Sequence, residues 1–313
     1  MKIYHGEVPD FIPAAHKYIV EVPFPGDRFF GQELVGDDAW GVNWTAFGHD
    51  PRFDGQTPTP GTKVLTDITK WREQVKFPDL EELPVDLILP LILNSQTEDR
   101  DNVIVKGLLL SGTWERVNQL MGMEDALCAF YEEPECLKEL MEAIADYKIK
   151  CIDKLCEILD PDIIHMQDDW GADRSMMMSP DTWREFIKPI EKRYADYIHS
   201  KGKIYEHHSC GYIKDIIPDL IEIGVDALNP INASNDCDEV YRLYGDKLVL
   251  IGMVDNQKID FVDCPEEKIR EEARRVLDAY SKNGRFIPYF FPTLERTWNI
   301  LFDEVEKYGA SKQ

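Results

Sequence analysis

The chain has 313 residues, of which 43% are hydrophobic and 30% charged, so it carries enough apolar side chain for a folded core, and disorder and a small disulfide scaffold are excluded. Asp plus Glu number 59 against 35 Lys plus Arg, a formal net charge of -24. Such a surface repels phosphate backbones and anionic lipid, no basic patch offsets it, and neither nucleic acid nor a membrane is an expected partner.

The opening MKIYHGEVPD lacks the apolar stretch of a signal peptide, and no run approaches the length of a membrane span, so a cytoplasmic location is expected. The odd count of seven cysteines then reads as reduced thiols or metal ligands. The whole chain, 1–313, reads as a single domain. Residues 1–100 are rich in Pro, Gly and Asp and read as an irregular lid or barrel closure, with one short helix at Ile68–Val75. The main part, 101–313, is periodic. VIVKGLLLSG (103–112) is a buried strand, followed by helices at Thr113–Met121 and Pro134–Leu159. The second of these has an apolar stripe of Leu137, Leu140, Met141, Ile144, Ile152, Leu155, Cys156 and Leu159.

DIIHMQDDWG (162–171) is a strand ending in acids, and Ser179-Pro180 caps and opens a helix. Strands follow at 203–211, 225–230, 248–255 and 285–291. Helices intervene at Tyr212–Ile223, which Gly224 stops, and from Pro265 to Gly284, and Leu294–Tyr308 closes the chain. Alternating strands and helices imply a parallel sheet under helices. Neither GxGxxG nor GxxxxGK[ST] occurs, which argues against phosphate-loop folds. Polar residues gather where strands end, at Asp168, Asp169, Glu206 to Cys210, Asn229 and Asp255, as at the active end of an α/β (β/α)8 TIM barrel.

Three segments carry candidate chemistry. In Glu206-His207-His208-Ser209-Cys210, alternation puts Glu206, His208 and Cys210 on one face. Imidazole, thiol and carboxylate there suit zinc, while the plain alternative is a hydrogen-bonded histidine beside a buried cysteine. Asp168 and Asp169 offer a general acid or a polar substrate contact, against helix capping or a loop salt bridge. Trp40 and Trp44 in DDAWGVNW (37–44) read as an aromatic lid or as pins holding a loop to the core, and Trp170 as a pocket floor or a rim cover. Met176-Met177-Met178 reads as core packing or as a cofactor or protein contact. No GxSxG occurs, so nucleophilic hydrolysis has no support.

DDWG (168–171), MMMSPDTWREFIKP (176–189), HHSCGYIKDIIPDLIEIGVDALNP (207–230), residues 112–144 and DDAWGVNW together resemble the uroporphyrinogen decarboxylase-like superfamily over roughly 35–305. The resemblance implies a (β/α)8 barrel with an N-terminal extension. Decarboxylases of that superfamily carry an arginine-rich MRQAGRY-type motif; FPGDRFFGQ (24–32) has only Arg28. The corrinoid-dependent methyltransferase branch fits better. Its zinc motif is HxC plus a later cysteine; His208 and Cys210 match, but 285–295 has no cysteine, and Tyr289 stands about where one would be.

The implied reaction is O-demethylation: methyl passes from a methoxylated substrate, an aromatic ether, to Co(I) on a separate corrinoid protein, because no DxHxxG motif is present here to hold the corrinoid. Asp168, Glu206 or a metal on His208 and Cys210 would help the oxygen leave. Trp40, Trp44, Trp170 and Tyr289 would hold the ring, with Asp169, Asn229 and Asp255 as polar contacts. The alternatives are a zinc methylcorrinoid:thiol methyltransferase, a decarboxylase and a non-catalytic binding barrel.

Overall fold

The structure is a computed structural model that describes residues 1–14, 17–25, 35–46, 56–83, 85–90, 92, 100, 102–290 and 293–310; Arg28 lies outside them. The strands in chain order are β1 (Ile19–Pro23), the short β2 (Gly36–Asp37), β3 (Asn43–Ala46) and β4 (Gln56–Pro58), then β5 (Ile104–Leu109), β6 (Ile163–Gln167), β7 (Ile204–His208), β8 (Ala227–Ile231), β9 (Val249–Met253) and β10 (Phe286–Tyr289). β1 and β5 to β10 form one sheet, paired in sequence order and all parallel.

The sheet curls on itself. Ile19, Ile104, Ile163, Ile204, Ala227, Val249 and Ile287, from all seven strands, meet in one interior cluster with Ile3 and Tyr4. Ile3 and Tyr4 stopper the end where the strands begin, because Gly6 and Glu7 lie against Arg285 and Gly284, just before β10. The barrel expectation therefore holds for the fold, but seven strands rather than eight pair among the described residues, with β1 and β10 as edges.

The first hundred residues, expected to be an irregular lid or barrel closure, contain regular strands. IVEVP supplies β1, a barrel strand, and β2, β3 and β4 form an antiparallel three-stranded sheet. The run of β-branched residues in β1 is too short, and too closely flanked by prolines, to stand out as a periodic element. Local signals served better elsewhere. Helices occupy Thr113–Met121 and Pro134–Leu159. The second buries its predicted stripe, each Leu or Ile contributing about 1.5–3 kcal/mol, although Cys156 is only half-buried. Ser179 Oγ accepts from the Thr182 N–H at 3.0 Å and starts Pro180–Phe186. None of the seven cysteines is in a disulfide. No helix among the described residues is long and apolar enough to cross a membrane.

Candidate functional site

β7 points Glu206 and His208 inward, while Tyr205 and His207 point out toward Glu191 and Trp170. Register sets His165 opposite Glu206, and Gln167, His208 and Asn229 side by side on β6, β7 and β8.

Glu206 is fully buried. Its Oε1 accepts from Lys106 Nζ at 2.8 Å and meets His165 Nδ1 at 2.8 Å, and its Oε2 accepts from the Tyr4 hydroxyl at 2.9 Å. Lys106 also reaches Glu21 at 3.1 Å. Burial works against both charges; the Lys106 ammonium and His165 overcome it and hold the Glu206 carboxyl well below its ordinary range. Glu206 and Glu21 likewise hold Lys106 charged. These partners favour the carboxylate form of Glu206, whereas the expected role as an acid needs a raised pKa.

One layer toward the mouth, His208 Nε2 lies 3.4 Å from Cys210 Sγ and 3.7 Å from Asp169 Oδ1, and the Cys210 N–H donates to Asp169 at 2.7 Å. One ligand atom from each of Asp169, His208 and Cys210 lies within 4.8 Å of the other two. Burial first, then the neighbouring His165 and His207, pushes the His208 pKa well down, so its ring is neutral. His208 Nδ1 lies 3.2 Å from Asn229 Oδ1; a proton on Nδ1 makes that hydrogen bond and leaves the Nε2 lone pair facing Cys210 and Asp169. This N, S and O set fits zinc. The carboxylate beside His208 and Cys210 is that of Asp169, while Glu206, the expected third ligand, pairs with Lys106.

A cavity of about 190 Å³ opens inside the barrel beside this group. Ile19, Ile251 and Ile287 form its apolar wall, and Glu21 and Lys106 its polar floor. Tyr289 and Trp298 stand perpendicular, with ring centroids 5.9 Å apart. Asn229 belongs both to the cavity and to the His208 contact. Burial, and then the Glu21 charge, keeps the Tyr289 phenol protonated.

The other candidates lie elsewhere. Asp168 accepts from the Trp114 and Glu115 N–H groups at 3.0 and 2.7 Å, so it caps the Thr113–Met121 helix. A Cβ on Gly112 would fall 2.3 Å from the Asp168 Cβ, so glycine is what lets the carboxylate approach. Burial, then Glu191, pushes its pKa up to about 8, against those two backbone bonds. Trp170 is buried outside the strands, stacked on His207 at 4.1 Å and set against Trp183. Trp40 packs on Phe77, Tyr147 and the Arg116 guanidinium, and Trp44 Nε1 donates to Asp38, the partner of Arg116. These tryptophans clamp the β2–β4 sheet to the helices and do not line the cavity. Asp255 pairs with Lys258 at 2.6 Å on the rim.

Sequence reasoning missed Tyr4, Glu21, Lys106, His165 and Trp298. A usable signal existed for two of them. Lys106 sits inside VIVKGLLL and His165 inside DIIHM, and a polar group in a buried strand must find a partner.

Three comparisons bear on the arrangement. The family profile described as Uroporphyrinogen decarboxylase (URO-D) matches residues 46–288. A methylcobamide:CoM methyltransferase (MtaA) of Methanosarcina barkeri is 26% identical over 102 residues, 33% of this chain but only 29% of that protein's length. A methyltransferase from Methanosarcina mazei shares the fold, with a TM-score of 0.68 at 16% identity over 98% of this chain and 97% of that one.

Proposed function

Since the chain belongs to the uroporphyrinogen decarboxylase family, we propose that it is a corrinoid-dependent methyltransferase, which takes methyl from a small methoxylated aromatic ether and delivers it to Co(I) of a separate corrinoid protein. The observation that carries this reading is the 190 Å³ cavity, whose aromatic corner and polar floor share Asn229 with the Asp169–His208–Cys210 group. Its size and half-apolar lining suit one substituted ring.

In the transfer the methyl–oxygen bond breaks, the methyl carbon goes to cobalt and the oxygen keeps the electron pair. Co(I) is a strong nucleophile, so the difficulty lies in the leaving oxygen. Asp168 is occupied by its helix and Glu206 is ionised. Zinc held by Asp169, His208 and Cys210 would supply Lewis-acid stabilisation of that oxygen. Asn229 fixes the His208 ring. Tyr289 and Trp298 hold the arene. The Lys106 ammonium has three N–H donors, of which two go to Glu206 and Glu21, leaving one for a ligand oxygen.

A decarboxylase reading is weaker. Lys106 is the one cation among the described residues that line the cavity and already faces two carboxylates, so a polycarboxylate substrate is poorly matched. A thiol acceptor is the second reading, favoured by the cysteine–histidine–carboxylate set and by the similarity to the methylcobamide:CoM enzyme. Two assays on zinc-loaded protein separate them. Formation of methylcobalamin from cob(I)alamin and guaiacol supports ether demethylation. Thiol-dependent loss of methylcobalamin supports the second reading. No turnover in either, with ligand binding intact, leaves a binding barrel.

A further inference from the structure

Glu21 is a carboxylate to which the methyl transfer gives no task. It stands on β1, one edge of the curled sheet, in register with Lys106 on β5. Its side chain is 48% exposed, whereas Lys106 is 4% exposed and Glu206, on the far side of the ammonium, is fully buried. Glu21 and Lys106 both line the 190 Å³ cavity. One cation thus sits between an inner carboxylate sealed in the barrel and an outer one that an entering ligand meets.

We propose that Glu21 is a specificity-determining residue: its carboxylate holds the place on Lys106 that a ligand carboxylate would take, and so keeps aromatic acids out and admits uncharged methoxylated rings. The inference rests on the reading that the cavity holds a methoxylated ring and deepens it by naming the charge class of that ring.

The charges carry the argument. Glu206 at 2.8 Å and Glu21 at 3.1 Å already outnumber the single Lys106 charge, so an aromatic acid brings a third carboxylate to one ammonium. That carboxylate sheds its water and meets the like charge of Glu21, and no second cation among the described lining residues repays the loss. The other titratable groups leave this balance in place. Burial and then the Glu206 charge hold the Tyr4 phenol protonated. Burial and then the Glu21 charge do the same for Tyr289 on β10, so the field of Glu21 spans the cavity from one sheet edge to the other. His165 Nδ1 meets Glu206 Oε1, the oxygen that Lys106 also uses, on the side of the buried carboxylate. An uncharged ring fares better. Its oxygen accepts the remaining Lys106 N–H, and a ring hydroxyl also donates to Glu21, which a carboxylate cannot do.

The same geometry says how the preference reverses. Glu21→Gln keeps the side-chain shape and removes one charge. Lys106 and Glu206 then balance, and the ammonium offers a charge-assisted hydrogen bond to a ligand carboxylate in the place Glu21 held.

The test compares 4-methoxybenzoate with 4-methoxybenzamide, which differ in charge and hardly in shape, by calorimetry on the full chain. The parent is expected to bind the amide at least tenfold more tightly than the acid. Glu21→Gln is expected to move the ratio of the two affinities at least tenfold toward the acid, and Glu21→Asp, which keeps the charge, to leave it within threefold. Glu135→Gln removes an acid that is 86% exposed on the Pro134–Leu159 helix, controls for one unit of net charge, and leaves the ratio unchanged. Both ligands are read on one preparation, so a partly unfolded variant lowers both alike and the ratio survives. A parent without preference, a Glu21→Gln ratio equal to the parent's, or a Glu21→Asp ratio that follows Glu21→Gln overturns selection by charge. Guaiacol separates the two levels. A parent that binds guaiacol but does not prefer the amide loses the selection alone, whereas a parent that binds none of the three ligands overturns the selection together with the ring-binding reading.

Discussion

Two buried ion pairs look alike on paper and do different work. Asp38 and Arg116 are 2% and 0% exposed and are sealed by Trp40, Trp44, Phe77 and Tyr147. Glu206 and Lys106 are 0% and 4% exposed, yet Lys106 also touches Glu21, which is 48% exposed and borders a cavity. The first pair joins the N-terminal sheet to the outer helices. The second sets the electrostatics of a space that a ligand can enter. A buried charge pair is therefore no evidence of a site until an accessible cavity adjoins it, and an aromatic-rich, acidic stretch is no evidence of a lid.

The sharpest way to break this comparison is to remove each cation. Arg116→Met and Lys106→Met each strand a buried carboxylate and should cost about 3–5 kcal/mol in urea unfolding. Guaiacol binding per folded molecule should survive Arg116→Met and fall in Lys106→Met. Equal effects on binding would erase the distinction.

Metal content gives the next largest effect. His208→Ala, Cys210→Ala or Asp169→Ala should each lower zinc affinity steeply, and Asn229→Leu by about 10–100-fold through the loosened His208 ring. Glu206→Gln should keep the metal. Zinc bound after dialysis, read by elemental analysis, checks all five.

The two acids first suspected of protonating the leaving oxygen separate by pH. The raised Asp168 pKa means that the folded protein keeps a proton the unfolded chain has lost, so this group's contribution falls as pH rises from 3.8 to about 8. Asp168→Asn should flatten that part of the stability curve and cost about 1–2 kcal/mol as a weakened cap. Glu206 has the opposite sign: its stabilisation is present above 4.5 and is lost as pH falls below that value. Urea unfolding from acid pH, below both ordinary carboxylate values, up to alkaline pH above about 8 reads the Asp168 slope and the upper part of the Glu206 slope.

The smallest effect belongs to the supposed lid. Trp44→Phe removes one hydrogen bond to Asp38 and should cost about 1 kcal/mol without changing guaiacol affinity. Weaker ring binding in that variant would return Trp44 to the substrate site.

Much of the barrel was legible in the residues themselves. Helix starts such as Ser179-Pro180, the stripe of Pro134–Leu159 and the inward pair Glu206 and His208 follow from local periodicity and capping, which depend on neighbours a few positions away. β1 was hidden because four residues ahead of Pro23 carry too little period.

What only the tertiary structure decided is which polar groups meet. Asp168 and Asp169 are adjacent in sequence, but alternation turns one to a helix start and the other to His208 and Cys210. Glu206 sits two residues from His208, yet Lys106 on β5, His165 on β6 and Tyr4 from the barrel's stopper claim it first. Those partners stand 100, 41 and 202 residues away in the chain. Side-chain alternation fixes the face a residue occupies, but charge and proton state depend on partners that only closing the sheet brings within bonding distance.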